Sequence, residues 1–174
     1  MKLVRAAPPD LPQIVALMNR AYRGQQGWAV EQDYIQGDRV SLKDLEAEIA
    51  AKPQMQFLIW RQDNELLGCV SLEPMSGTVW YLGSLTVEPG RQDAQLGRRL
   101  LAEAERIAQE NSATHMQLTV IWVREALIQW YQRRGYAPTG KTTPFPYHDD
   151  RWGKPLRDDL HFVWFEKQLG PPGA

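Results

Sequence analysis

Apolar residues recur along the chain with two periods, and the switch between them sorts it into elements. Leu11, Ile14, Val15, Met18, Ala21 and Tyr22 fall at helical spacing and predict an amphipathic helix. Asp10 lies three residues before Gln13, with Pro12 in the first turn, a variant of the capping box that sets its start. Gly24, Gly27 and Gly37 break the next segment into a loop. Ser41, with Asp44 three residues on, opens a second helix that ends before Pro53. Segments 55–61, 66–73 and 78–87 are apolar and β-prone, and their connections are too short for crossover helices, so they predict an antiparallel meander. Asp63 and Asn64 make its first turn. Gly83, inside the third strand, predicts a bulge or a close backbone approach.

After Pro89 the period changes again. Leu96, Leu100, Leu101, Ala104, Ile107 and Ala108 form the apolar face of a long helix. Segment 115–120 alternates as a strand, and 125–134 reads as a helix closed by Gly135. Tyr136 starts a β segment, 139–154 is loop-rich, and 160–167 is a final strand. The order predicts a mixed α/β domain over 1–169, followed by a frayed tail at 170–174.

Composition narrows the chemistry. Of 174 residues, 20 are Lys or Arg and 21 are Asp or Glu, so the chain lacks the basic surplus that nucleic-acid binding requires. A single Cys excludes an internal disulfide and a Cys-rich structural zinc site. No signal-peptide or membrane-span pattern is visible, which makes a cytoplasmic location the expectation. Seven Trp exceed ordinary usage. Trp60, Trp80, Trp122, Trp130 and Trp164 fall in or beside predicted elements, where core packing explains them. Trp28 and Trp152 fall in loops, where aromatic side chains can serve recognition rather than packing.

The stretch 87–99, Val-Glu-Pro-Gly-Arg-Gln-Asp-Ala-Gln-Leu-Gly-Arg-Arg, ends a strand, turns and opens a helix. The unpaired N–H groups of a helix's first turn, with its macrodipole, favour an anion. Arg91, Arg98 and Arg99 add charge there. The stretch lacks the Gly-Lys-Ser/Thr of a P-loop and the three glycines of a dinucleotide fingerprint.

Here the chain resembles the GCN5-related N-acetyltransferases (GNAT). Val87, Pro89, Gln92, Leu96 and Gly97 fall in register on that family's acetyl-CoA motif, and Tyr131-Gln132-Arg133-Arg134-Gly135-Tyr136 matches the end of its second motif. One helix and one strand intervene, as in the family. Asp93 and Gln95 stand where the family usually has glycine, and Arg124 where an Asn often opens the second motif. The resemblance implies a mostly antiparallel sheet with a splayed parallel pair in its middle and helices on both faces. It also implies an acetyl-CoA-dependent N-acyltransferase in which a primary amine of a small molecule or peptide attacks the thioester directly, without a metal. Leu85, Thr86, Val87, Gln92, Asp93, Ala94, Gln95, Leu96, Gly97 and Arg98 would bind the cofactor, mainly through main-chain N–H groups. Asp93 is expected to face solvent, away from the phosphates. Tyr131 matches the family's general acid; the alternative is a core aromatic beside Trp130. The rival function is a non-catalytic acyl-CoA-binding module with a degenerate loop. Homodimers occur in the family, and the sequence leaves oligomeric state open.

The acceptor side is less defined. Trp28, Glu31 and Tyr147 are its candidate contacts, and antibiotic, polyamine, amino acid and protein N-terminus all remain open as acceptors. Glu31, Glu73 and the pair Asp149/Asp150 are candidate bases, against the alternatives of surface carboxylates or direct loss of the proton to water. The acids of 148–161 alternate with Arg151, Lys154 and Arg157, so surface ion pairs are favoured there over a metal. These acids could instead attract a cationic amine. Cys69, in a predicted buried strand, is no nucleophile, and His115 is expected to be structural.

Overall fold

The computed structural model describes residues 1–25, 30–91 and 95–170. Its main sheet has seven strands: β1 (Val4–Arg5), β3 (Gln56–Gln62), β4 (Glu65–Ser76), β5 (Val79–Val87), β6 (His115–Ile121), β9 (His161–Gln168) and β7 (Ala137–Pro144), in that spatial order. All neighbours are antiparallel except β5 and β6. Among the described residues four α-helices cover it: α1 (Leu11–Arg23), α2 (Leu42–Ala51), α3 (Leu96–Glu110) and α4 (Glu125–Gln132).

Strand alternation divides the core in two. Phe57 and Ile59 of β3 pack with Ile14, Leu17 and Met18 of α1 and Leu45 of α2. Leu58 and Trp60 face the other way, into a cluster with Leu100, Leu101 and Ala104 of α3 and Tyr131 of α4. The period-2 strand therefore feeds two helical layers at once.

The meander β3–β4–β5 forms as the spacing predicts, with Asp63 and Asn64 both at positive φ (50° and 65°) in the turn, as a two-residue hairpin requires. Ser41 caps α2, its Oγ accepting from Asp44 N at 3.1 Å. Asp10 behaves differently from the sequence expectation. Its carboxylate reaches back to accept from Ala7 N at 2.8 Å and pairs with Arg61, because a 3-10 turn (Pro8–Asp10) precedes α1.

Two further departures concern the loops. The β segment after Tyr136 extends into the loop-rich stretch 139–154: β7 runs through to Pro144. The loops 24–40 and 145–157 are joined by a small second sheet, β2 (Ile35–Gln36) with β8 (Lys154–Pro155). Gly153 lies at φ 84°, and a Cβ there would meet Gln36 O at 2.5 Å. Gly153→Ala should therefore cost more than about 1 kcal/mol, read as a lower urea midpoint and faster proteolysis in these two loops.

Candidate active site

β5 and β6 are hydrogen-bonded only from Val79, Trp80 and Tyr81 to His115, Met116 and Gln117. Beyond that point both strands continue, β5 to Val87 and β6 to Ile121, without pairing. Two local features accompany the separation. β5 carries a bulge, since Cys69 pairs with Thr86 while Ser71 pairs with Gly83, leaving Ser84 and Leu85 opposite Val70. Ser84 sits at φ 52°, and a Cβ on Gly83 would lie 2.7 Å from Ser71 Oγ, so the close approach predicted for Gly83 is present. A bulge bends its strand and raises the local twist, which turns β5 away from β6. Tyr81 and Thr119 share a hydrogen bond at 2.8 Å across the mouth of the gap.

A cavity of about 200 Å³ fills this opening. Leu82, Gly83, Ser84 and Leu85 line it from β5, Leu118, Thr119, Val120 and Ile121 from β6, and Leu127 and Tyr131 from α4. Tyr22 of α1 donates to Leu85 O at 3.0 Å, tying the helix end to the bulge. Tyr131 is 6% exposed and stands edge-on to Trp130 and Tyr136, with ring centroids 5.0 and 5.6 Å away. It is thus both a core aromatic and a cavity wall. Burial raises its phenol well above the usual tyrosine range, so it stays protonated wherever the protein is folded.

The remaining candidates are distributed unevenly. Leu85 lines the cavity, and Thr86 and Val87 are buried beside it. Thr86 gives its hydroxyl to Ser84 O at 2.9 Å, so a ligand would meet backbone here. Gln95, Leu96, Gly97 and Arg98 open α3. Gln92, Asp93, Ala94 and Trp28 lie outside the described residues. Glu31 lines the cavity, 5% exposed, and is no surface carboxylate: its Oε1 accepts from Arg124 Nη1 at 2.9 Å and its Oε2 from Arg23. Tyr147 lies outside the cavity lining; its hydroxyl accepts from Leu160 N at 2.7 Å and its ring packs on Phe145. Glu73 pairs with Lys52 at 2.9 Å, and Asp149 with Arg151, and none of the four lines the cavity.

A family model for the acetyltransferase (GNAT) family matches residues 13–136. The chain belongs to that family. It is 26% identical over 102 residues to an IAA acetyltransferase of Azospirillum brasilense, covering 58% of this chain and 67% of that protein. The acetyltransferase fold also recurs in a ribosomal-protein-alanine N-acetyltransferase from Brucella melitensis (TM-score 0.69, 19% identity, 97% of this chain and 100% of that one). YncA of Salmonella typhimurium, a structure containing acetyl-CoA, shares it as well (TM-score 0.68, 19% identity, 100% of this chain and 96% of that one).

Several cavity residues of this acetyltransferase escaped sequence reasoning. Trp164, assigned to core packing, lines the cavity, as do Phe162, Arg23 and Arg39, whereas Trp152 beside them is one of the two loop tryptophans already set apart for recognition. None of the acids of 148–161 lines the cavity. Asp149 and Asp159 are held by their neighbours Arg151 and Arg157, whereas the cavity's charged lining is mostly arginine. Among the described residues no group of His, Cys, Asp and Glu could hold a metal, and no helix is long and apolar enough to cross a membrane.

Cys69 has the inert character expected of it. Burial pushes its thiol from the ordinary 9.0 up to about 12. Below pH 9 the thiol is protonated in both folded and unfolded chains. Between pH 9 and 12 the unfolded chain loses the proton and the folded one keeps it, so this group's share of stability falls as pH rises. Cys69 should react with an aromatic disulfide reagent only after unfolding, as followed by absorbance with and without denaturant.

Proposed function

We propose that this protein is an acetyl-CoA-dependent N-acetyltransferase that acetylates a primary amine of a small molecule or peptide by direct attack. The carrying observation is the opening between β5 and β6, with a cavity in it and the buried phenol of Tyr131 on its wall. Acetyl-CoA supplies an activated acyl group, and the residues present suit its charge. Arg98, Arg133 and Arg134 line an open groove beside the start of α3, with Lys167 and Glu105. Glu105 is engaged there by Lys167 and by the Tyr136 hydroxyl, which leaves the three arginines in excess. Arg134 Nε is buried without a partner among the described residues. Such a surface favours phosphates, and residues 92–98 would add main-chain N–H groups at the helix start.

Each protein group then has a defined task. The bulged backbone at Ser84 and Leu85 presents main-chain dipoles to the reacting carbonyl. The amine nitrogen forms a bond to the carbonyl carbon, the carbon–sulfur bond breaks, and the Tyr131 hydroxyl gives its proton to the departing sulfur. The proton released by the new amide passes to water, because both oxygens of Glu31, the one carboxylate lining the cavity among the described residues, are occupied by guanidinium donors, and solvent returns a proton to the Tyr131 phenolate.

Isothermal titration with acetyl-CoA, followed by a free-thiol assay over a panel of amines, tests this reading. Binding with thiol release supports it. Tight binding with no thiol release on any amine would favour a non-catalytic acyl-CoA-binding module, and no binding would rule out both.

A further inference from the structure

The cavity carries more positive charge than its own carboxylate balances. Arg23, Arg39, Arg124 and Glu31 are its charged lining residues. Every guanidinium nitrogen of Arg23 is already engaged: Nε gives to Gly37 O at 2.9 Å, Nη1 to Glu31, and Nη2 to Trp152 O at 3.1 Å. Arg124 is different. It is 8% exposed and gives Nη1 to Glu31, while its Nη2 is buried without a partner among the described residues. Buried polar groups are almost always hydrogen-bonded, and an orphaned charged one is costly. Arg39 is held over the Tyr22 and Trp152 rings, 5.4 and 5.0 Å from their centroids, and pairs with no described carboxylate. Arg124 lies 5.7 Å from the centroid of the same Tyr22 ring, so both under-used cations flank one residue.

These groups sit on the acceptor side. They come from the end of α1, the loop 24–40 and the residue before α4, facing Trp152, Phe162 and Trp164, and no described residue of α3 lines the cavity. A guanidinium with free N–H groups matches a planar carboxylate, and the surrounding rings match an apolar body.

We infer that the acceptor is an amine that also bears a carboxylate, an amino acid or related amino-carboxylate with an apolar side chain. Its carboxylate is bound by Arg124 Nη2 and Arg39, and its apolar part lies against Tyr22, Trp152 and Trp164. This rests on the N-acetyltransferase reading above. It replaces the expectation of an acidic site for a purely cationic amine.

The test compares L-phenylalanine and L-methionine with their methyl esters, which keep the amine and lose the carboxylate charge. Turnover is read as thiol release, and equilibrium binding by ligand-detected NMR on protein saturated with CoA. The wild type should favour the free acids by at least about tenfold in kcat/KM and in binding, the size expected when a buried donor loses its charged partner. Arg124→Lys keeps a cation for Glu31 but removes the forked donor, and should erase that preference by raising KM for the acids alone. Arg39→Ala, at a half-buried position, should weaken the preference without unfolding the chain. Thermal melts confirm that both variants are folded. Equal use of acids and esters would overturn the inference while leaving acetyl transfer standing. So would an Arg124→Lys effect confined to KM for acetyl-CoA, which would assign the free Nη2 to the donor. If no amine is acetylated, the NMR comparison decides alone, and equal or absent binding of acid and ester would overturn the inference.

Discussion

Tyr131→Phe is expected to lower kcat for acetyl transfer by about 100-fold or more, the usual range for loss of a positioned general acid, with KM for either substrate little changed. The hydroxyl is the only group removed. The ring keeps its edge contacts with Trp130 and Tyr136, so the core loses no volume and the melting temperature should move little. That split separates the two roles the residue combines: a packing role alone predicts unchanged kcat. Since burial raises the phenol above its ordinary 10.0, the wild-type kcat profile should show no descending limb from Tyr131 near pH 10. A limb there that disappears in the Phe variant would mean the phenol is more hydrated than its 6% exposure implies.

Glu31→Ala should be the most destabilising single substitution at the site. The side chains of Glu31, Arg23 and Arg124 are 6%, 8% and 7% exposed, so removing the carboxylate leaves two buried guanidinium groups facing each other. Breaking a buried pair in this way costs about 3–5 kcal/mol, a large part of the total stability of a typical domain. Urea unfolding should show it as a shifted midpoint. Glu31→Gln, which retains an acceptor oxygen, should lose less. A variant with normal stability and abolished turnover would instead make Glu31 the catalytic base.

The parts legible in the sequence were those governed by local rules. Short connections dictated the β3–β4–β5 meander, the spacing of Leu96, Leu100, Leu101 and Ala104 dictated α3, and Gly83 marked the close approach beside the bulge. The order of elements between Val87 and Tyr136 was likewise readable, because the family motifs sit at their junctions. What was not legible depends on partners far apart in the chain. β2 and β8 are two-residue strands with no periodic signal, and each exists only because the other meets it. Arg124 stood out as a departure from the family pattern, but nothing near it in sequence announces Glu31 as its partner. The pairing of Asp149 and Asp159 with Arg151 and Arg157, two residues away, follows the alternation of charge in the sequence, but that alternation does not show that the cavity is lined by other residues. Trp164 illustrates the same limit, since a strand residue can face either a core or a cleft, and the strand's own pattern does not distinguish them.

The most direct test of the central claim is a steady-state assay in which thiol release from acetyl-CoA and the mass of the acceptor are followed in one reaction. The structure predicts thiol release that depends on an added amine, matched mole for mole by an N-acetylated product and lost in Tyr131→Phe. Acetyl-CoA bound with no acetylated product from any primary amine, or thiol release that is independent of amine and of Tyr131, would contradict it.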